Sequence, residues 1–305
     1  MRRSAEPGLG HPRRAGRPRL RRLLWRWLHR LPEFELALDT KHGRLRVSNK
    51  DAGVGRILFL QREYELATIR KSVALLTQLE QGPLHSRLMI DAGANIGTVC
   101  ISMVRSAAFA GALAFEPEPR NYALLVKNVL GNGLGQSIRC FNAALSSSNS
   151  VGEMELSKNS GDHRLRAGVP LDPQARYREG SRTTIPVTVR RLDDMLAEAG
   201  VEAHDVALLW MDVQGAEKHV LEGAGRLVEA GVPVVAEFWP YGLSRAGVSP
   251  PAYAQYMAAQ FTRFYDLSDE TPAPQPCASI EKLFDVYAQF KQFTDLLLLP
   301  RRSGR

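Results

Sequence analysis

Residues 88–98, L-M-I-D-A-G-A-N-I-G-T, constrain this chain more than any other segment. An apolar run ends in Asp91, Gly93 and Gly97 punctuate a turn, and a helix-compatible stretch follows. The pattern predicts a strand, a glycine-rich loop and a helix. Such a loop brings backbone N–H groups and a helix N-terminus up to a nucleotide-like ligand, because glycine has no Cβ to block close approach.

Two features argue against a dinucleotide. The G-x-G-x-x-G fingerprint places a second glycine where the backbone meets the pyrophosphate, whereas this loop runs Gly93, Ala94, Asn95, Ile96, Gly97. Asp91 ends the strand, where its charge opposes a pyrophosphate but suits a ligand carrying an ammonium and a sulfonium. S-adenosyl-L-methionine is such a ligand. A second apolar run, A-L-A-F-E-P at residues 112–117, sets Glu116 at the end of the next strand, 25 residues after Asp91. A carboxylate there accepts from both ribose hydroxyls.

The net charge of +8 suggests nucleic acid until it is divided along the chain. Residues 1–31 hold ten arginines against the single acid Glu6, which leaves the remaining residues at −1. A nucleic-acid acceptor calls for a positive face on the body itself, so this distribution disfavours one. The three cysteines, Cys100, Cys140 and Cys277, have no metal-ligand spacing and are odd in number. They point to no metal and to a reducing, cytoplasmic setting. No apolar run approaches the roughly 18 residues that span a bilayer.

Within the basic segment, Leu20, Leu23, Leu24, Trp27, Leu28 and Leu31 recur at helical spacing, with Arg19, Arg22, Arg26 and Arg30 mainly opposite and Pro18 and Pro32 at the ends. This predicts a basic amphipathic helix, either packed on the domain or lying on an anionic membrane through residues 18–31.

The order of elements predicts an α/β fold. A hairpin is expected at residues 34–38 and 44–48, and a helix over 62–81. From residue 88, strands and helices alternate, which implies parallel strands joined by right-handed crossovers. The expected strands are 88–92, 112–116, 138–145, 206–213 and 232–239, and later strands at 264–267 and 295–300 complete a seven-stranded sheet. Residues 151–190 break the alternation: two strands flank a polar stretch containing Asn159, Gly161, Asp162 and His163, expected to form a lid or acceptor-binding excursion.

Taken in order, the blocks I-D-A-G-A-N-I-G at 90–97, F-E-P-E-P at 115–119, N-A-A-L at 142–145, R-L-D-D-M-L at 191–196 and M-D-V-Q-G-A-E at 211–217 resemble the FkbM-type family of S-adenosylmethionine-dependent methyltransferases. The resemblance implies a class I methyltransferase fold: a Rossmann-like, seven-stranded, mostly parallel sheet with a reversed last strand and helices on both faces. To this the chain adds a β-rich insertion at 157–182, a basic helical extension at 1–31 and a basic tail at 301–305, around one domain over 32–300. The resemblance also implies acceptors that are small hydroxylated metabolites or glycans. Carried over, Asp91, Gly93, Asn95 and Gly97 hold the methionine portion and the turn beneath the cofactor, Glu116 takes the ribose, and Asn142 and Ala143 face the adenine. Two positions depart from the family: Trp210 stands where a lysine is usual and Gln214 where a glutamate is usual.

Methyl transfer to a hydroxyl requires removal of its proton. Asp212, expected at the carboxyl end of a core strand, is the first candidate base; Glu237, ending the next strand, is the second. His163 in the insertion is the third, having an ordinary pKa near neutrality. Two other readings are an RNA or protein methyltransferase that uses the arginine-rich segment, and a membrane-surface adaptor that has lost catalysis at Trp210 and Gln214.

Overall fold

The computed structural model describes residues 17–79, 82–167, 182–289 and 292–301. Most of the irregular stretch inside the insertion (residues 168–181), the first sixteen residues and the end of the basic tail lie outside the described residues.

The core is one sheet built from β1 (Leu88–Ala92), β2 (Gly111–Phe115), β3 (Ile138–Phe141), β4 (Val206–Met211), β5 (Val234–Phe238), β6 (Phe261–Asp266) and β7 (Thr294–Pro300). Their spatial order is 3-2-1-4-5-7-6, and the short strand Gln275–Pro276 lies beyond β6 as an eighth member. Strands β1 to β5 are parallel. Strand β7 runs antiparallel to both β5 and β6. This is the class I methyltransferase sheet with its reversed last strand. The strand order reverses between β1 and β4, where open α/β sheets form a crevice at the carboxyl ends.

The strands are near-continuous apolar runs because both faces are covered. Alternate side chains of β4 divide between two cores, Leu208 and Trp210 facing one and Leu209 and Met211 the other. The first core receives the helices Leu66–Gln78, Thr98–Arg105 and Pro119–Gly131, and the second receives Leu192–Ala199 and Pro250–Gln260. Trp210 is 2% exposed, so the place of the family's usual lysine has become packing.

One expected element is shortened and two divide. The helix expected over 62–81 starts later, as Leu66–Gln78, because Arg62 and Glu65 adopt the left-handed backbone region at φ 67° and 55°; a further helix, Val54–Gln61, which was not expected, lies before this break. The strand expected over 138–145 ends at Phe141. Asn142 turns out of the sheet, and Ala144–Leu145 joins a separate four-stranded sheet with Ser150–Glu155, Arg164–Leu165 and Thr184–Arg190. The helical pattern over residues 216–229, which follows β4 in the alternation, forms as two helices, Glu217–Glu222 and Gly225–Glu229. The hairpin Glu35–Thr40 and Gly43–Ser48 forms close to the expected bounds.

A carboxylate-lined cavity at the ends of the parallel strands

The glycine loop works differently from the sequence expectation. Its N–H groups do not face a ligand: those of Gly93 and Ala94 both donate to Phe115 O, at 3.0 and 2.9 Å, and that of Gly97 donates to Ala94 O. The Asn95 N–H donates to Glu116 Oε2 at 2.8 Å, from a backbone held at φ 50°. The loop therefore ties the ends of β1 and β2 together and spends these four donors within the protein. Glycine is required for another reason. A Cβ at Gly93 would lie 2.0 Å from Asp212 O, at a backbone φ of +83°, so its absence lets the chain after β4 close on the loop. Gly97, at φ +93°, forms the N-cap of the helix Thr98–Arg105.

Gly93→Ala is accordingly expected to destabilise the fold by about 1–3 kcal/mol from backbone strain alone and to displace Asp212. A lower denaturation midpoint together with weakened ligand binding is the expected pair of measurements; an unchanged midpoint would contradict the close approach.

Asp91 is 1% exposed and accepts from Cys100 N at 3.0 Å, beneath the first turn of the helix. Burial pushes its carboxyl up to about 6, opposed by its bonds to Cys100. It fixes the helix to β1 and does not line the cavity. Glu116 does line it. Its two oxygens accept from the Asn95 and Glu118 N–H groups, both at 2.8 Å. Burial outweighs these bonds and raises its pKa to about 8; with one backbone bond at each oxygen, lone pairs remain on both for donors from a ligand. Asn142 is exposed, and its amide donates to Glu116 O and Pro117 O at 2.8 and 3.0 Å, clamping the turn after β2. Ala143 lines the cavity.

The cavity encloses about 560 Å³ of empty space including its mouth. Gly93, Asn95 and Glu116 approach from β1 and β2, Asp212 and Gln214 from the end of β4, and His163 from the insertion. Apolar wall comes from Ala144, Leu145, Met154 and Val213. Near the rim, Ser160 Oγ donates to Asp51 Oδ2 at 2.8 Å, joining the insertion to the segment before β1. The His163 Nδ1 accepts from Ser157 N at 2.9 Å, so the neutral ring carries its proton on Nε2. Burial lowers its pKa. Both facts set His163 up as a donor rather than a base.

Gln214 sits between two acids: its Nε2 donates to Asp212 Oδ1 at 2.7 Å and to Glu237 Oε2 at 3.1 Å. Burial raises Asp212 to about 6, with the Gln214 bond pulling the other way. Glu237 does not line the cavity; it stands directly opposite Asp295 across the β5–β7 pair. Burial, then Asp212 and further acids including Asp295, hold Glu237 well above the carboxylate range. Burial and Asp212 raise Asp295 to about 7. Glu65, hydrogen-bonded to Tyr64, is likewise held high by burial and by Asp212. Among the described residues no group of three or more His, Cys, Asp and Glu is arranged to hold a metal ion.

Asp51, Tyr64, Glu65, Ser160 and Asp295 are additions to the sequence-predicted set. Only Asp51 had a legible signal, D-A-G-V-G, in which an aspartate caps the N–H groups of the following glycines; it accepts from Gly53 N and Gly55 N at 2.9 and 2.6 Å.

The family model described as methyltransferase FkbM domain matches residues 91–264, more than half of the chain. The 2-O-methyltransferase NoeI of Sinorhizobium fredii is 34% identical over 143 residues, 45% of this chain and 56% of that protein. Methyltransferase sdnD of Sordaria araneosa is 32% identical over 158 residues, 44% of this chain and 59% of that protein. The matched regions thus span less than two thirds of each curated relative. Among solved structures, geranyl diphosphate methyltransferase in complex with SAM overlaps at a TM-score of 0.39 with 15% identity, covering 77% of this chain and 85% of its own. The cavity at the carboxyl ends of β1, β2 and β4 falls inside the matched region, and the chain belongs to the FkbM methyltransferase family.

Proposed function

We propose that the protein is an S-adenosylmethionine-dependent O-methyltransferase acting on a hydroxyl of a sugar, glycan or other small hydroxylated metabolite. The observation that carries this reading is the presence of Glu116 and Asp212 on one cavity, the first with lone pairs open at both oxygens and the second presented at a strand end. The residues fit the cofactor. Glu116 accepts the ribose hydroxyls, and Ala143 with the neighbouring apolar wall takes the adenine. When bound, S-adenosylmethionine supplies a methyl group on a sulfonium centre.

The chain's own contribution is alignment and proton removal. An acceptor oxygen must be held at about 3–3.5 Å from the carbon it attacks. Asp212 takes the hydroxyl proton on its carboxylate. Gln214, by donating to Asp212 Oδ1, fixes that carboxylate and favours its ionised form. Glu237 holds the other side of the amide, so it orients Gln214 rather than meeting the acceptor. His163 donates from Nε2.

An acidic cavity of this kind repels a phosphate backbone, which supports a small acceptor over RNA. The three free cysteines support a reducing, cytoplasmic setting. The test is transfer of isotopically labelled methyl from the cofactor to a panel of sugars and hydroxylated metabolites, with the product linkage read by NMR. Label on an acceptor oxygen is expected, and label found only on nitrogen or on RNA would contradict the proposal.

Gln214→Glu gives a sharper check on the carboxylate pair. It places a third acid between Asp212 and Glu237 and removes the donor that bridges them. The pKa of Asp212 should rise by about a unit or more. Activity that needs the ionised form then appears at higher pH, so the acidic limb of the kcat/KM profile should move upward from about 6. An unmoved limb would remove Asp212 from that role.

A further inference from the structure

The helix Arg17–Leu28 presents three different faces, and only one of them is used by the fold. Trp25 and Leu28 are 3% and 9% exposed, and the Trp25 ring lies 5.1 Å from that of Phe59. Arg21 Nη1 donates to Leu60 O at 3.1 Å, Asn49 Nδ2 donates to Leu28 O at 2.8 Å, and Lys50 Nζ donates to His29 O at 2.7 Å. These contacts fix how the helix is turned.

At about 100° per residue, Leu20, Leu23, Leu24 and Trp27 form a second face, roughly a quarter-turn or more from the docked one. They are 68%, 60%, 44% and 57% exposed. They make up half of the eight large hydrophobic side chains exposed among the described residues, so this is a patch rather than scatter. Arg19, Arg22, Arg26 and Arg30 occupy the third face, exposed, with no ion-pair or hydrogen-bond partner among the described residues.

We infer that this face docks on an anionic lipid surface. The apolar stripe enters the headgroup–acyl boundary while the adjacent arginines meet lipid phosphates, the division expected of an interfacial helix. Trp27 suits that boundary, with an apolar ring and one polar N–H. A nucleic acid would use the arginines and leave four large apolar side chains in water. A second copy would bring the same arginine stripe against itself, with like charges facing across the contact. A lipid surface satisfies both faces together. No described helix is long and apolar enough to cross a membrane, so the contact is peripheral. The inference stands independently of methyl transfer.

The test uses the full chain with vesicles of phosphatidylcholine alone and of phosphatidylcholine with phosphatidylglycerol, read by co-sedimentation and tryptophan emission. Binding to the anionic vesicles is expected, weaker as salt is raised, with a blue shift that Trp27→Phe reduces. The double variant Leu23→Ser, Trp27→Ser should bind at least about tenfold more weakly, and Arg22→Ala, Arg26→Ala should lose about fivefold per arginine on anionic vesicles only. Because all four side chains are exposed, each variant should keep the wild-type melting temperature, which separates lost binding from lost fold. Equal sedimentation of wild type and the Ser variant would overturn the inference. So would a Ser variant that changes only the oligomeric state, or Arg variants that lose only RNA binding.

Discussion

Glu116→Ala is expected to weaken S-adenosylmethionine binding by roughly 10²–10⁴-fold, measured by calorimetry. The two ribose hydroxyls lose a charged acceptor, and a hydrogen bond to a charged group contributes about 1.5–3 kcal/mol. The same truncation strips the Asn95 and Glu118 N–H groups of their acceptor, so the melting temperature should fall as well. Glu116→Gln keeps the side-chain volume and one oxygen, and should show an intermediate loss of affinity.

Protonation gives this prediction a second readout. With a folded-state pKa raised to about 8 by burial, Glu116 binds its proton more tightly in the folded protein than in the unfolded chain. Its contribution to stability is fully present below the ordinary glutamate range and is lost as pH rises through about 8. The ligand-free protein should therefore lose stability as pH climbs over that window, and Glu116→Gln should reduce the loss. Asp212, Glu217 and Asp295, raised to about 6, 7 and 7, add to the same trend. Cofactor affinity should move oppositely, strengthening as Glu116 ionises.

Asp212→Asn is expected to lower kcat by roughly 10²–10⁴-fold, the range associated with a positioned general base. Cofactor affinity should stay within about threefold of wild type, because the substituted amide still fills the space and the ribose site at Glu116 is untouched. Glu237→Gln should have the smaller effect on kcat, since Glu237 acts through the Gln214 amide and does not line the cavity. The reverse ranking would make Glu237 the base and Asp212 the support.

The strand ends were legible in the sequence because a parallel sheet buried on both faces writes continuous apolar runs, and each run here stops at an informative residue. Asp91, Glu116, Asp212 and Glu237 all fall at or beside such ends. Their division of labour was not legible. Asp91 and Glu116 look equivalent as strand-terminal acids, yet Asp91 turns under the helix to meet Cys100 N while Glu116 reaches the cavity. Side-chain alternation decides this only once the loop's path is known. The loop itself gave its glycines away but not its hydrogen bonding, since whether an N–H meets a ligand or Phe115 O depends on how β1 and β2 are offset.

The remaining gaps have the same origin. Tyr64 and Glu65 belong to a break between helices bounded by two left-handed residues, where the helical periodicity already reads as begun at residue 62. Asp295 becomes significant only because an antiparallel β7 brings it opposite Glu237. The amphipathic pattern at residues 20–31 was plain, but Trp25 was absent from its apolar stripe. Burial of Trp25 and Leu28 on the domain is what frees Leu20, Leu23, Leu24 and Trp27.

If one cavity both holds the cofactor and activates a hydroxyl, single-turnover transfer of deuterated methyl from S-adenosylmethionine, with the product linkage assigned by mass spectrometry and NMR, shows it most directly. Wild-type protein should place the label on an acceptor oxygen, and Asp212→Asn, saturated with cofactor, should place almost none. Equal transfer by the two proteins, or saturable cofactor binding with no transfer to any hydroxylated acceptor, would contradict it.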